Sequence, residues 1–172
     1  MKACAVAWLT TLLCGAAGAA SFFEVAPGAG AFSDSHGAGS VRVALSTELP
    51  WRHAFAGGSE LVLLAEGSVG RVWQDSDQAW FATLSPLLQW RFPGASATPF
   101  VEAGVGGALF SRDHLGPVGL GQHFQFVDRL GVGVDFDDWR LSLRYLHYSQ
   151  ADMSEPNDGL DLIELGLARR FF

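Results

Sequence analysis

The chain has 172 residues, enough for one domain with a packed core, and sets 11 basic side chains against 18 acidic ones for a formal net charge of −7. This acidic balance argues against nucleic acid as a partner, since phosphate backbones are met by basic surfaces. It leaves open an anionic lipid, reached through local arginines or bridging divalent ions.

Residues 1–20, MKACAVAWLTTLLCGAAGAA, have the layout of a secretory signal peptide. Lys2 supplies the charge, an apolar run extends from Ala3 to Leu13, and small residues precede Ser21. Cleavage is expected after Ala19 or Ala20. The apolar run is short for a membrane helix, which needs about 20 apolar residues. Leu13 stands where a lipoprotein site before Cys14 would have a small residue, which argues against lipidation. Both cysteines, Cys4 and Cys14, and the sole lysine fall in this segment. The remaining domain, residues 21–172, then has no thiol for a disulfide or a metal. Ten arginines against 18 acidic residues give it a net charge of −8.

Beyond the leader no apolar run is long enough for a spanning helix. Composition alone fits either a soluble periplasmic β-sandwich or a β-barrel of the bacterial outer membrane. Period-2 alternation is the sharper signal. A weak strand is expected over 22–33, then one over 39–51, with Val41, Val43, Leu45, Leu49 and Trp51 on one face. The 61–73 segment carries Leu61, Leu63, Ala65, Val69 and Trp73, and the 79–92 segment carries Trp80, Ala82, Leu84, Leu88, Trp90 and Phe92. Strands over 98–110 (Val101, Ala103, Val105, Leu109) and 122–136 (Phe124, Phe126, Leu130, Val132, Val134) follow. Asp137-Asp138 is a tight turn into 139–149, and a last strand is expected over 159–171.

The opposite faces hold Arg42, Glu48, Glu66, Gln89, Arg91, Glu102, Gln125, Arg129, Arg140, Arg144 and Glu164. Mixed charges of this kind fill the lumen of a small barrel by pairing. Trp51, Trp73, Trp80, Trp90, Phe92 and Trp139 at strand ends fit interfacial girdles. The expected fold is therefore all-β: an eight-stranded antiparallel transmembrane β-barrel of the bacterial outer membrane. With an even strand count both termini are periplasmic, so the connection 150–158 is an extracellular loop.

The stretch RYLHYSQADMSEPNDGLD, residues 144–161, departs from this pattern. The oily face Trp139, Leu141, Leu143, Tyr145 continues into His147 and Ser149. Asp161 shares parity with Ile163, Leu165 and Leu167, so it too faces lipid, whereas Glu164 has the opposite parity. A serine, an imidazole and a carboxylate at one rim can act as nucleophile, base and orienting acid. The bland reading is a strand end where water begins, followed by a Pro-Asn-Asp-Gly turn.

From His147, HYSQADMSEPNDGLD resembles the signature of PagL-type lipid A 3-O-deacylases, an H-x-S pair followed by P-N-x-G-x-E. The upstream segments TPFVEAGVGGALFS and FQFVDRLGVGV are similar to that family's central strands. The resemblance implies an outer-membrane enzyme that hydrolyses the ester-linked acyl chain at the 3-position of lipid A, at a site near the outer leaflet. It implies Ser149 as nucleophile, His147 as base and Asp161 as acid, with Asn157 and Gln150 as oxyanion or substrate-binding residues. Lipid A, or lipopolysaccharide, is then the partner, and a homodimer is an assembly the reading leaves open. Such a hydrolysis calls for no metal or organic cofactor. The alternative is a non-catalytic barrel with a structural or adhesion role.

Asp161 stands where the family usually has glutamate, and Gln150 and Asp152 where it more often has Asn and Gly. If the triad is real, Asp161→Glu is expected to raise activity. Asp128 interrupts the oily face of its strand without an account from sequence. His36, His53, His114 and His123 lack metal-ligand spacing and read as loop or interface residues.

Overall fold

The computed structural model describes residues 19–172; apart from Ala19 and Ala20, the expected signal peptide lies outside the described residues. Alternation of oily and polar residues produces β1 (Ser21–Gly30), β2 (Gly39–Ala54), β3 (Glu60–Gln74), β4 (Asp77–Arg91) and β5 (Thr98–Phe110). A two-stranded hairpin follows, β6 (His114–Leu115) and β7 (Val118–Gly119), then β8 (Phe124–Phe136), β9 (Trp139–Ser149) and β10 (Leu160–Arg170). All but the hairpin pair antiparallel into a closed barrel of order β1-β10-β9-β8-β5-β4-β3-β2. Closure pairs every strand edge, which a hydrocarbon environment demands because unpaired N–H and C=O groups have no water there.

Side-chain parity sorts the barrel as the sequence suggests. Val43, Leu45, Val69, Leu84, Leu130, Val132, Leu143 and Leu165 are exposed on the outer wall. The polar partners turn inward and are buried. Arg42 contacts Glu24 at 3.0 Å, Glu66 at 2.7 Å and Glu164 at 2.8 Å. Arg144 joins Glu24 at 2.5 Å and Glu102 at 2.6 Å, and Arg129 joins Glu66 at 2.5 Å. Each charge in this lumen is thus neutralised by contacts from other strands, the condition under which buried ions are tolerated.

β1 begins and β10 ends at one end of the barrel, together with the two-residue turn at Asp137-Asp138, where Asp137 takes φ 50°. The opposite end carries the connections 31–38, 111–123 and 150–159. Here the structure departs from the sequence reading. β1 stops at Gly30 rather than at residue 33, because the chain folds back through a 3-10 turn at Ser33–Ser35 and Gly30 N–H bonds Ala38 O at 2.8 Å. The β6–β7 hairpin has no signal in the alternation. Its Leu115 and Val118, with Leu120, are fully buried against Phe110, Val127, Leu146, Tyr148 and Leu160, closing the lumen at that end. β10 ends at Arg170, which leaves Phe171 and Phe172 beyond the strand.

Candidate active site

β9 and β10 are neighbours, and their register sets Asp161 opposite His147 and Ile163 opposite Tyr145. On the other flank, β8 sets Asp128 opposite His147 and Phe126 opposite Ser149. His147 and Ser149 share the outer face two residues apart, at the end of β9 that meets the 150–159 loop. The structure therefore gathers Ser149, His147 and Asp161 at one place on the outer wall, as the sequence suggested.

His147 Nδ1 lies 2.7 Å from Asp161 Oδ1, with the two side chains 35% and 18% exposed. A carboxylate oxygen accepts, so Nδ1 is the donor in this pair and Nε2 is the ring nitrogen left for a partner other than Asp161. One methylene fewer than glutamate is thus no obstacle to reach, because the two residues face each other directly across the sheet. The same Oδ1 accepts a second hydrogen bond, from the Tyr145 hydroxyl at 2.5 Å. The backbone of Asp161 is anchored as well: its N–H donates to Ser35 Oγ at 2.9 Å and its C=O accepts from Ala31 N at 3.0 Å. Gln74 Nε2 holds that capping loop by donating to the carbonyls of Asp34 and His36 at 2.5 and 3.2 Å.

The 150–159 loop is built on Gln150 and Asn157. Gln150 is fully buried; its amide donates to the carbonyls of Ser154 and, at 3.0 Å, Pro156, and its Oε1 accepts from Ser154 Oγ at 2.5 Å. Its side chain is therefore engaged inside the loop rather than turned toward the triad. Asn157 Oδ1 accepts from Gln150 N–H at 3.2 Å and its Nδ2 donates to Asp152 Oδ1 at 2.7 Å. Asp152 sits at φ 57°, in the left-handed region that favours glycine, and its carboxylate is partnered by Asn157. Asp158 braces the loop on β7: its N–H bonds Gly119 O at 3.0 Å, and its Oδ2 accepts from Gly119 N–H at 2.8 Å. Gly159 takes φ 73°, and a Cβ there would stand 3.0 Å from His147 Cε1.

Glu164, the other carboxylate of β10, is fully buried in the lumen on Arg42, away from the triad. His53 packs on Phe55, His114 pairs with Asp113, and His123 Nδ1 lies 3.0 Å from Phe110 O. Among the described residues no three His, Asp or Glu side chains gather as a metal-holding group. Just along the wall from the site, Leu130, Val132, Leu143, Tyr145 and Ile163 line an apolar groove of about 220 Å³. A larger hollow of about 500 Å³ around Gly67 lies on the opposite wall, lined by Val43, Leu45, Val69 and Leu84; its Ser68 pairs with Thr83 and no histidine lines it.

The closed eight-stranded barrel, oily outside and ionic within, is an outer-membrane type of protein whose wall carries a Ser, His, Asp cluster. Residues 39–170 match the family described as lipid A 3-O-deacylase (PagL). The chain is 33% identical over 162 residues to the lipid A deacylase PagL of Bordetella bronchiseptica, covering 86% of this chain and 87% of that one. It is 38% identical over 84 residues to the lipid A deacylase PagL of Pseudomonas aeruginosa, about half of each chain at 48% and 49%. A crystal structure of the outer membrane enzyme PagL superposes with a TM-score of 0.75 at 28% identity, covering 86% of this chain and 98% of that one. The chain belongs to the PagL family.

Tyr145 and Ser35 go unmarked in the sequence reading, whereas Gly159 is the glycine of the P-N-x-G-x-E stretch. Tyr145 passes as one more oily residue, although its parity with His147 was a usable signal. Ser35 comes from another connection and has none. Asp128, unexplained from sequence, now has a place: it flanks His147 on the side away from Asp161.

Proposed function

We propose that this protein is a lipid A 3-O-deacylase working by a Ser149, His147, Asp161 triad on the membrane-facing wall of the barrel. The observation that carries the reading is the 2.7 Å contact between His147 Nδ1 and Asp161, with Ser149 on the same face beside it. His147 Nε2 takes the proton of Ser149 as Oγ attacks the ester carbonyl, and Asp161 stabilises the imidazolium that forms. The tetrahedral intermediate collapses: the bond to the sugar 3-oxygen breaks, that oxygen takes the proton from His147, and an acyl-serine remains. Water, deprotonated by His147, then releases the fatty acid and restores Ser149. Asn157 is the proposed oxyanion donor through the amide N–H that Asp152 does not occupy. Gln150 contributes by fixing the loop that carries Asn157.

The membrane-facing position suits a substrate that resides in the membrane. The groove beside Tyr145 offers apolar wall to an acyl chain, and the end of the barrel opposite the termini is the outer one in this architecture. This orientation supports a triad at the height of the outer leaflet, where lipid A lies.

The test is mass spectrometry of lipid A incubated with purified wild-type protein and with Ser149→Ala. Loss of one acyl chain with the wild type alone supports the reading. Equal hydrolysis by Ser149→Ala sinks Ser149 as nucleophile, and intact lipid A in both, with the barrel folded, sinks the activity.

A further inference from the structure

The outer stripe of β9 runs through Leu141 and Leu143 to Tyr145, and there it stops being merely oily. We infer that Tyr145 is a positioning residue for the proposed triad, its hydroxyl holding the Asp161 carboxylate in the orientation that faces His147. The inference rests on the hydrolytic reading above and adds to it a residue outside the Ser, His, acid set.

Three observations support it. First, Tyr145 Oη and His147 Nδ1 both donate to Asp161 Oδ1, at 2.5 and 2.7 Å. The terminal torsion of an aspartate is broad and roughly two-fold, so one donor leaves the carboxylate free to swing. A second donor arriving at the same oxygen from a different strand position fixes it. Second, the tyrosine ring is itself held: Phe32 meets it edge-on with ring centroids 5.9 Å apart, and Ile163 stands opposite it in register. Third, the backbone of Asp161 is clamped at both N–H and C=O by Ser35 and Ala31. With main chain and carboxylate both anchored, the short acid has one place to be, and His147 inherits that order.

An ordinary interfacial tyrosine would satisfy its hydroxyl on any nearby acceptor, and its loss would leave catalysis alone. The experiment separates the two. The full chain, purified in detergent, is assayed on lipid A for kcat and KM as wild type, Tyr145→Phe, Asp161→Asn and the double variant. Phenylalanine keeps the ring and its packing on Phe32, and heat-modifiable gel migration checks that each barrel is folded. A hydrogen bond to a charged group is worth roughly 10-fold to 100-fold in rate if it is lost from the transition state. Tyr145→Phe is therefore expected to lower kcat by about that factor with KM within about twofold. In the Asp161→Asn background the same change is expected to do almost nothing further, because the carboxylate it orients is gone. A Tyr145→Phe enzyme with wild-type kcat, a loss confined to KM, or an equal loss in both backgrounds overturns the inference while leaving the triad standing. A wild type that leaves lipid A intact overturns the hydrolytic reading and this inference with it.

Discussion

Gly159→Ala tests whether the His147 imidazole is held as tightly as the geometry states. Gly159 sits at φ 73°, and an added Cβ would lie 3.0 Å from His147 Cε1. The left-handed backbone costs an alanine about 1–2 kcal/mol, which should appear as that much lost unfolding free energy. The contact is a separate effect. Carbon atoms rest at about 3.5–4.0 Å, so the contact is tight and the ring must give by a few tenths of an ångström. It cannot retreat freely, since Nδ1 is tied to Asp161 at 2.7 Å. Either that bond lengthens or Nε2 moves from the place proposed for it as the base of Ser149. A misplacement of about 1 Å in a catalytic group costs roughly 100-fold, so for a shift of a few tenths of that, kcat on lipid A is expected to fall by about 3-fold to 10-fold. The rate comes from a mass-spectrometric time course and the stability from urea unfolding of the barrel in vesicles. A Gly159→Ala protein that loses stability but keeps the wild-type rate would refute the argument from the imidazole contact.

Two further changes probe the lumen and the acid. Arg42→Gln strips Glu24, Glu66 and Glu164 of a shared cation within 3.0 Å, and removing one partner of a buried pair costs about 3–5 kcal/mol; a urea midpoint equal to wild type would show that the lumen network is not stabilising. Asp161→Glu, expected from sequence to raise activity, is now expected to lower kcat by roughly 10-fold, because the added methylene moves the carboxylate off a contact already made with His147 and Tyr145; a faster enzyme in the lipid A assay would mean that aspartate is the poorer acid here.

Most of the barrel was legible because its physics is local. A strand buried on one side and bathed in lipid on the other must alternate, and Val41, Arg42 and Val43 spell that out residue by residue. Parity also assigned His147, Ser149 and Asp161 to the outer wall and Glu164 to the lumen, where each is found. The β6–β7 hairpin was not legible, because its Leu115 and Val118 are buried by long-range packing that no period reports. The partners of Asp161 were hidden for a related reason. Ser35 comes within reach only once the 31–38 connection folds over β10, and Tyr145 reaches Asp161 only through a diagonal across two strands. Gln150 was read as a possible substrate contact because polarity in a loop is ambiguous until the fold shows which way the amide turns.

The outer wall bears on the proposed site as well. Asp128, His147 and Asp161 form a polar row across three adjacent strands, beside the exposed Leu130, Leu143 and Ile163. Ionisable groups on the lipid face of a barrel destabilise it increasingly with depth, while the same groups in the lumen find partners. This chain sends Arg42, Arg129, Arg144 and four glutamates inward and pairs them. It keeps the Asp128, His147 and Asp161 row outside, at the end bearing the long connections. A wall with a purely structural duty gains nothing from that row and would be more stable with leucine in each place. The deacylase reading proposed above accounts for the row, since the lumen, sealed by Leu115, Val118 and Leu120, is out of reach of a substrate that stays in the membrane.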